Sequence, residues 1–232
     1  MKRKVIKFAT KEEDLTFPEP SKKYIPAWYK KADKYIGGKP ILNNSTPKGG
    51  NTVKLCMPFL DSLINGYTVE LAQDIQVRRD ENNNIIISWN PELLMLEQRP
   101  MDTLQGMPVP TGYEASAFAW KFHFCFKTPK GYSAMVVHPL NRHDLPFMTV
   151  SAIVDADYVV SDGWLPFFLK EGFEGIIPKG TPFVQIIPFK RDDWESKKDN
   201  KILAIAQRNL NLTRRVVSGY YKLNFWQRKQ YK

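Results

Sequence analysis

Cysteine is nearly absent: Cys56 and Cys125 are the two in 232 residues, with no CxxC pair. With so few, both thiols, set among apolar neighbours, are expected to be buried and reduced, with a single disulfide between them as the lesser reading. Long hydrophobic runs are missing too. No stretch of eighteen apolar residues occurs, and Met1-Lys2-Arg3-Lys4 leads into a charged segment, so neither a spanning helix nor a secretory leader is expected, and no membrane partner. The phosphate-cradling loops GxxxxGK and GxGxxG are absent, as are a nucleophile elbow and any repeat at solenoid periods. Acidic residues are missing from the end of the chain: residues 201–232 hold eight Lys or Arg and no Asp or Glu.

What is present is a net charge of +10, unevenly placed. Residues 1–40 carry +6, residues 201–232 carry +8, and the 160 residues between them carry −4. Basic ends on a mildly acidic body read as arms that grip a neighbouring subunit, a nucleic-acid backbone or another acidic surface. With 43% apolar side chains, the chain suffices for one β domain with appendages. The expected division is a basic arm and linker over 1–52, a β domain over 53–191 and a basic aromatic extension over 192–232.

Along the chain, Val5–Phe8 reads as a short edge strand, and Phe17-Pro18-Glu19-Pro20 interrupts regular structure. Residues 25–36 read as a short helix with Trp28, Ala32, Tyr35 and Ile36 on its docking face, ended by Gly37-Gly38. A polar linker follows over 39–52. Strand signals cover 69–77, 85–89, 117–127 and 132–137, with a hairpin turn at Asp80–Asn84. The alternation over 118–126 puts Phe118, Trp120, Phe122, Phe124 and Phe126 on one face, with Lys121 and His123 opposite. Leu93–Leu96 lie in a segment too apolar to be left in water, so it folds over the sheet or meets another copy. Asp192–Glu195 are expected to open a helix whose apolar face is Ile202, Ile205, Ala206 and Leu210.

Two patterns carry the most legible chemistry: Ile153-Val154-Asp155-Ala156-Asp157-Tyr158, and Lys179-Gly180-Thr181-Pro182-Phe183-Val184-Gln185-Ile186-Ile187-Pro188. The first resembles the Ile-Asp-x-x-Tyr hairpin motif of the dUTPase and dCTP deaminase superfamily, and the second its later Gly-x-x-Ile-Ala-Gln-Leu strand. A weaker match lies at Asn65-Gly66-Tyr67-Thr68-Val69-Glu70-Leu71. The chain also resembles uncharacterised bacteriophage proteins through Pro26-Ala27-Trp28-Tyr29-Lys30 and Cys56-Met57-Pro58-Phe59-Leu60-Asp61-Ser62-Leu63. The resemblance implies a mainly β, antiparallel domain of the β-clip type, with a short N-terminal helix, a C-terminal helical extension and a homo-oligomer, commonly a trimer.

It also implies roles. Asp155 would orient an attacking water, Tyr158 would pack on a deoxyribose, and Arg142 would hold phosphates, with magnesium as the cofactor of that enzyme reading. Against it, Gly66 is followed by Tyr67 and Thr68 where the family carries a metal-orienting aspartate. Asn141-Arg142-His143-Asp144 replaces Gly-Arg-Ser-Ser, and the Gly-rich closing arm is missing. Phosphoryl chemistry needs those charge-neutralising parts. A non-catalytic scaffold without cofactor, a virion structural or accessory assembly component located in the virion or host cytoplasm, is therefore expected ahead of a nucleotide-hydrolysing enzyme. His123, His138 and His143 lack metal-ligand spacing, and Asp155 is read alternatively as a turn cap. The interface residues expected in the tail are Tyr220, Tyr221, Phe225, Trp226, Arg214 and Arg215, favouring protein docking over nucleic acid.

Overall fold

β-branched and aromatic residues at alternating positions make this chain mainly antiparallel β. The computed structural model describes residues 4–39, 50–100, 106–215 and 219–232. Its strands are β1 (Lys7–Ala9), β2 (Glu19–Pro20), β3 (Tyr67–Glu70), β4 (Ile75–Arg79), β5 (Ile85–Ser88), β6 (Leu96–Arg99) and β7 (Tyr113–Phe122). They continue with β8 (Cys125–Lys127), β9 (Tyr132–Val137), β10 (Phe147–Thr149), β11 (Ala152–Val154), β12 (Gly163–Lys170), β13 (Gly175–Ile177) and β14 (Pro182–Lys190). The α-helices are α1 (Ala27–Lys31), α2 (Met57–Ile64), α3 (Ile202–Arg215) and α4 (Tyr220–Asn224). None is long and apolar enough to cross a membrane.

Two compact units emerge. The β unit takes Met1–Ser21 and Gly66–Arg191, with the terminal Lys232, and holds every strand named above; Lys22–Asn65 and Asp192–Tyr231 form the other, which holds α1 to α4. Val53–Leu55 is a 3-10 turn, α2 follows it directly, and both fall within the helical unit. Phe59 of α2 stacks on Tyr29 of α1 at 5.8 Å, so this stretch packs with helix and not with sheet.

Within the β unit, one five-stranded sheet has the order β11-β9-β14-β3-β2 and a four-stranded one the order β10-β12-β7-β6. Smaller sheets pair β13-β4-β5 and β1-β8, and every pairing is antiparallel. All four contribute to one hydrophobic core, from Val69 and Ile75 through Trp120 and Phe126 to Phe167 and Ile186. The five aromatics of 118–126 are all buried as the alternation requires, but His123-Phe124 breaks the run into β7 and β8. Lys121 reaches Asp162 at 2.8 Å from the opposite side. The Asp80 turn also forms as expected: its carboxylate accepts the Asn82 and Asn84 N–H groups, and Asn83 takes φ 64. Leu93–Leu96 runs into the sheet itself and does not fold over it: Leu96 opens β6 opposite Trp120, the Lys121 N–H donates to the Met95 carbonyl, and Met95 and Leu96 are buried while Leu94 stays exposed.

Four further expectations are corrected. The signal over 69–77 is two strands, since the chain leaves β3 after Glu70, where the Leu71 N–H donates to the Thr181 carbonyl, and re-enters at Ile75. α1 stops at Lys31 and buries Tyr29, leaving Trp28 and Ile36 exposed, because Tyr29 is held by Phe59 and by the Lys54 ammonium 4.6 Å above its ring. Asp192–Glu195 open no helix; α3 starts at Ile202, after the Asp199 carboxylate has accepted the Lys201 N–H. Cys56 is exposed at the entry to α2 and Cys125 half-buried on the short β8, both free thiols.

Candidate functional site

Register places the central carboxylates. β11 pairs with β9 so that Val154 faces Ala134, which sets Asp155, one residue on, beside Ser133. β14 flanks β9 on its other side, with Lys190 opposite Tyr132, so Arg191 leaves its strand at the same end and its N–H donates to the Gly131 carbonyl. Three strand ends thus converge. Arg191 Nη1 donates to Asp157 Oδ1 at 2.7 Å, to Ser133 Oγ at 3.0 Å and to Asp155 Oδ1 at 3.1 Å, while Nη2 reaches Asp157 Oδ2. Ser133 Oγ donates to Asp155 Oδ1 at 2.6 Å, and the Gly131 N–H to Asp157 Oδ2 at 2.8 Å.

The two aspartates differ. The Asp157 side chain is 2% exposed and takes the guanidinium in a bidentate pair, so it ties the β11 turn to β14. The Arg191 hydrogen bond holds its carboxyl down at about 2, and the guanidinium is correspondingly pushed up. The Asp155 side chain is 60% exposed. Its backbone carbonyl, not its carboxylate, accepts the Tyr158 and Val159 N–H groups, so the turn-cap reading of the side chain is corrected: that carboxylate serves Ser133 and Arg191. Tyr158 lies 5.4 Å from the Arg191 guanidinium with its ring open to water, the whole residue 73% exposed.

Arg142 does not join them. It sits in the loop beyond Val137, at the far end of β9, on the order of 15 Å from Ser133 by strand rise alone. There it makes a two-pronged pair with Asp144, both bonds at 2.9 Å. Gln185, buried on β14, secures the same loop by accepting the Leu140 N–H at 2.9 Å. His138 spends both ring nitrogens here. Nδ1 accepts the Thr149 N–H, which leaves Nε2 as the donor to the Arg142 carbonyl at 3.2 Å, so the neutral ring has no lone pair to offer a metal. His123 Nε2 is likewise within 2.8 Å of the Leu94 carbonyl. Among the described residues, no three His, Cys, Asp or Glu side chains gather as a metal site.

These shifts give a pH prediction. Burial lowers His138 to about 4, so between its unfolded value of ~6.5 and that point the unfolded chain binds more protons, and stability is full above pH ~6.5 and falls below it. Asp157 acts later: its contribution is full above the unfolded carboxyl value of ~3.9 and is lost as pH falls through about 2. Urea midpoints measured from pH 8 to 2 are expected to fall in both windows. His138→Gln should flatten the first and Asp157→Asn the second; a slope unchanged in either variant would contradict the assignment.

The tail differs from an arm that contacts only other chains. Trp226 Nε1 donates to both carboxylate oxygens of Asp61 on α2 at 3.0 Å, Lys229 reaches the same carboxylate at 2.6 Å, and Tyr231 donates to the Asn65 side chain. Asp61 accepts because it projects from α2 where the returning chain passes. Tyr220 and Tyr221 pack edge-on or tilted against Phe225, at 5.7 and 6.2 Å, leaving Tyr221 and Phe225 partly exposed. Arg214 and Arg215 fall in the last turn of α3, and their side chains lie outside what is described.

No family model matches the chain, and no curated protein matches it in sequence. Solved structures with a similar course include a mutant dUTPase from phage phi11 of S. aureus, 9% identical with a TM-score of 0.38, the match covering 84% of this chain and 97% of that one. Another is the native EIAV dUTPase, 10% identical with a TM-score of 0.31, covering 58% of this chain and 87% of that one. Overlaps this slight place no residue of this chain onto theirs.

Proposed function

We propose that this chain is a non-catalytic β-clip scaffold of bacteriophage origin, a virion structural or accessory assembly component that works as a homo-oligomer. The observation that carries the reading is the dispersal of the candidate catalytic set: Asp155 is engaged by Ser133 and Arg191, while Arg142 is paired with Asp144 at the other end of β9. A carboxylate already serving a serine and a guanidinium is poorly placed to take a proton from water. The phage origin rests on the resemblance at Pro26–Lys30 and Cys56–Leu63. Basic ends fit acidic protein surfaces of such an assembly, with nucleic acid as the lesser partner.

A second reading is favoured by one specific feature. Asp155 and Tyr158 are both exposed side by side, beside the edge strand β11, so a neighbouring copy that closed over them would complete a nucleotide site of the dUTPase-like kind, with magnesium. One comparison separates the readings. A panel of deoxynucleoside triphosphates with magnesium is expected to yield no pyrophosphate above background, and purified particles to contain the protein in stoichiometric amount. Release of pyrophosphate that disappears in Asp155→Asn would replace the scaffold reading by the enzyme one.

A further inference from the structure

The five-stranded sheet of the β unit runs from β2 to β11, and β9 is the strand that pairs with β11. An edge strand offers backbone N–H and C=O groups to a second strand, and proteins blunt such edges with proline, charge or bulges. The β2 edge is blunted in this way, because it is two residues long and Pro20 has no N–H to give. β6, an edge of the four-stranded sheet, carries Glu97 and Arg99, and Lys7 of β1 stands opposite Lys127 of β8. The β11 edge has no such guard: Val150-Ser151-Ala152-Ile153-Val154 contains neither proline nor charge. Three of its residues pair with β9, and Asp155 continues the register, since its carboxylate meets Ser133. Ile153 is 67% exposed, and Val159 and Val160, just past the turn, are 57% and 46% exposed.

The sequence of this edge is complementary to itself. Antiparallel pairing of β11 with a second β11, centred on Ile153, sets Ile153 against its own copy, Ala152 against Val154 and Ser151 against Asp155. A small residue then meets a branched one, and a hydroxyl meets a carboxylate. Like charges oppose each other nowhere between residues 151 and 155 in this register. Centring the pair on Asp155, or running the strands parallel in register, would bring two carboxylates together and is disfavoured. Phosphate backbones and anionic lipid are disfavoured as well, because Asp155 and Asp162 stand exposed beside the edge.

We infer that β11 pairs with the β11 of a second copy across a two-fold axis through Ile153, joining two five-stranded sheets into one. This rests on the homo-oligomer part of the reading above and deepens it by naming the surface and its symmetry. Two identical edges use each other up, and Pro20 at the far edge of each sheet opposes further growth. The contact therefore closes at two copies and does not run on into a fibre.

The test uses the full chain, with the exposed Cys56 replaced by Ser. Ile153→Cys should oxidise readily to a dimer whose disulfide, mapped by peptide mass, joins position 153 to position 153. Residues facing each other across an antiparallel pair have Cα atoms about 4.5–5.5 Å apart, within disulfide reach. Ser151→Cys alone should not do so, because the same position on the partner strand lies about 13 Å away. In parallel, Ile153→Lys, a guard of the kind other edges carry, should weaken self-association in sedimentation by about tenfold or more. Its circular dichroism spectrum should stay that of the parent, because the side chain is exposed. A parent chain that stays monomeric at high concentration, or disulfides as ready at 151 as at 153, would overturn the inference. Ile153→Lys chains that associate as the parent does would overturn the pairing alone and leave the homo-oligomer standing. Failure of the scaffold reading looks different: pyrophosphate release, or particles lacking the protein, while the disulfide at position 153 still forms.

Discussion

Gly66→Ala is expected to unfold the β unit, or to leave it with a small fraction of its stability. Gly66 enters β3 at φ +73, and a Cβ built there would lie 2.1 Å from the Ile186 carbonyl oxygen, 2.9 Å from its carbon and 3.1 Å from Ile187 Cα. All three are backbone atoms of β14, which cannot step aside: Ile186 pairs with Tyr67 on one side and with Val136 on the other. Left-handed backbone alone costs alanine roughly 1–2 kcal/mol. Displacing a central strand brings the expected total to about 4 kcal/mol or more, a large share of the roughly 5–15 kcal/mol a domain has. Gly180→Ala is the control, since Gly180 has φ +82 but nothing within 4 Å of its Cβ position. It should lose only the conformational part. Denaturant midpoints of the two variants decide the matter: equal losses would mean that the close approach of β14 is not what requires glycine at position 66.

That glycine was legible only as part of a short pattern, and the rest of the molecule divides along a similar line. β5 and β9 were readable to within a residue because each is a short run of β-formers that follows a turn signal, Asn82-Asn83-Asn84 before Ile85 and Pro129-Lys130-Gly131 before Tyr132. α2 was not. Its sequence, MPFLDSLI, is a short and nearly continuous apolar run, which periodicity cannot assign between helix and strand. Acids at 192–195 suggested a helix start, but no apolar period follows until Ile202, and a start signal without a following stripe has nothing to nucleate. The candidate site was half legible. Asp155, Asp157 and Tyr158 share one turn and could be read together, whereas Ser133 and Arg191, 58 residues apart and bonded to each other, meet only through the order of strands in the sheet. The tail showed its aromatic and basic composition, but not that Trp226 has a partner 165 residues away in Asp61.

Trp120→Ala is expected to cost about 3–5 kcal/mol, the range for truncating a large aromatic that its surroundings cannot replace. Trp120 is fully buried on β7, pairing with Leu165 of β12 and Leu96 of β6. Its indole lies parallel to Phe167 with ring centroids 3.7 Å apart, meets Phe147 edge-on at 5.0 Å and touches Phe183 at 5.6 Å. Those neighbours come from three strands in two different sheets, so no single strand can shift to refill the space. A polar thread runs through the same place: Trp120 Nε1 donates to Thr149 Oγ1 at 3.3 Å, and that hydroxyl donates to the Phe183 carbonyl at 2.7 Å. It joins the four-stranded sheet to the five-stranded one. Trp120→Phe should keep most of the packing and lose the indole donor, for about 1–2 kcal/mol. Thr149→Val leaves both the indole N–H and the Phe183 carbonyl without that partner and should cost roughly 1–3 kcal/mol. In the double variant the two losses should add to less than their sum, because the first removes a donor the second has already stranded. Strict additivity in urea unfolding would show that the thread does not couple the sheets, and a loss below about 2 kcal/mol for Trp120→Ala would show that the core can collapse around the vacancy.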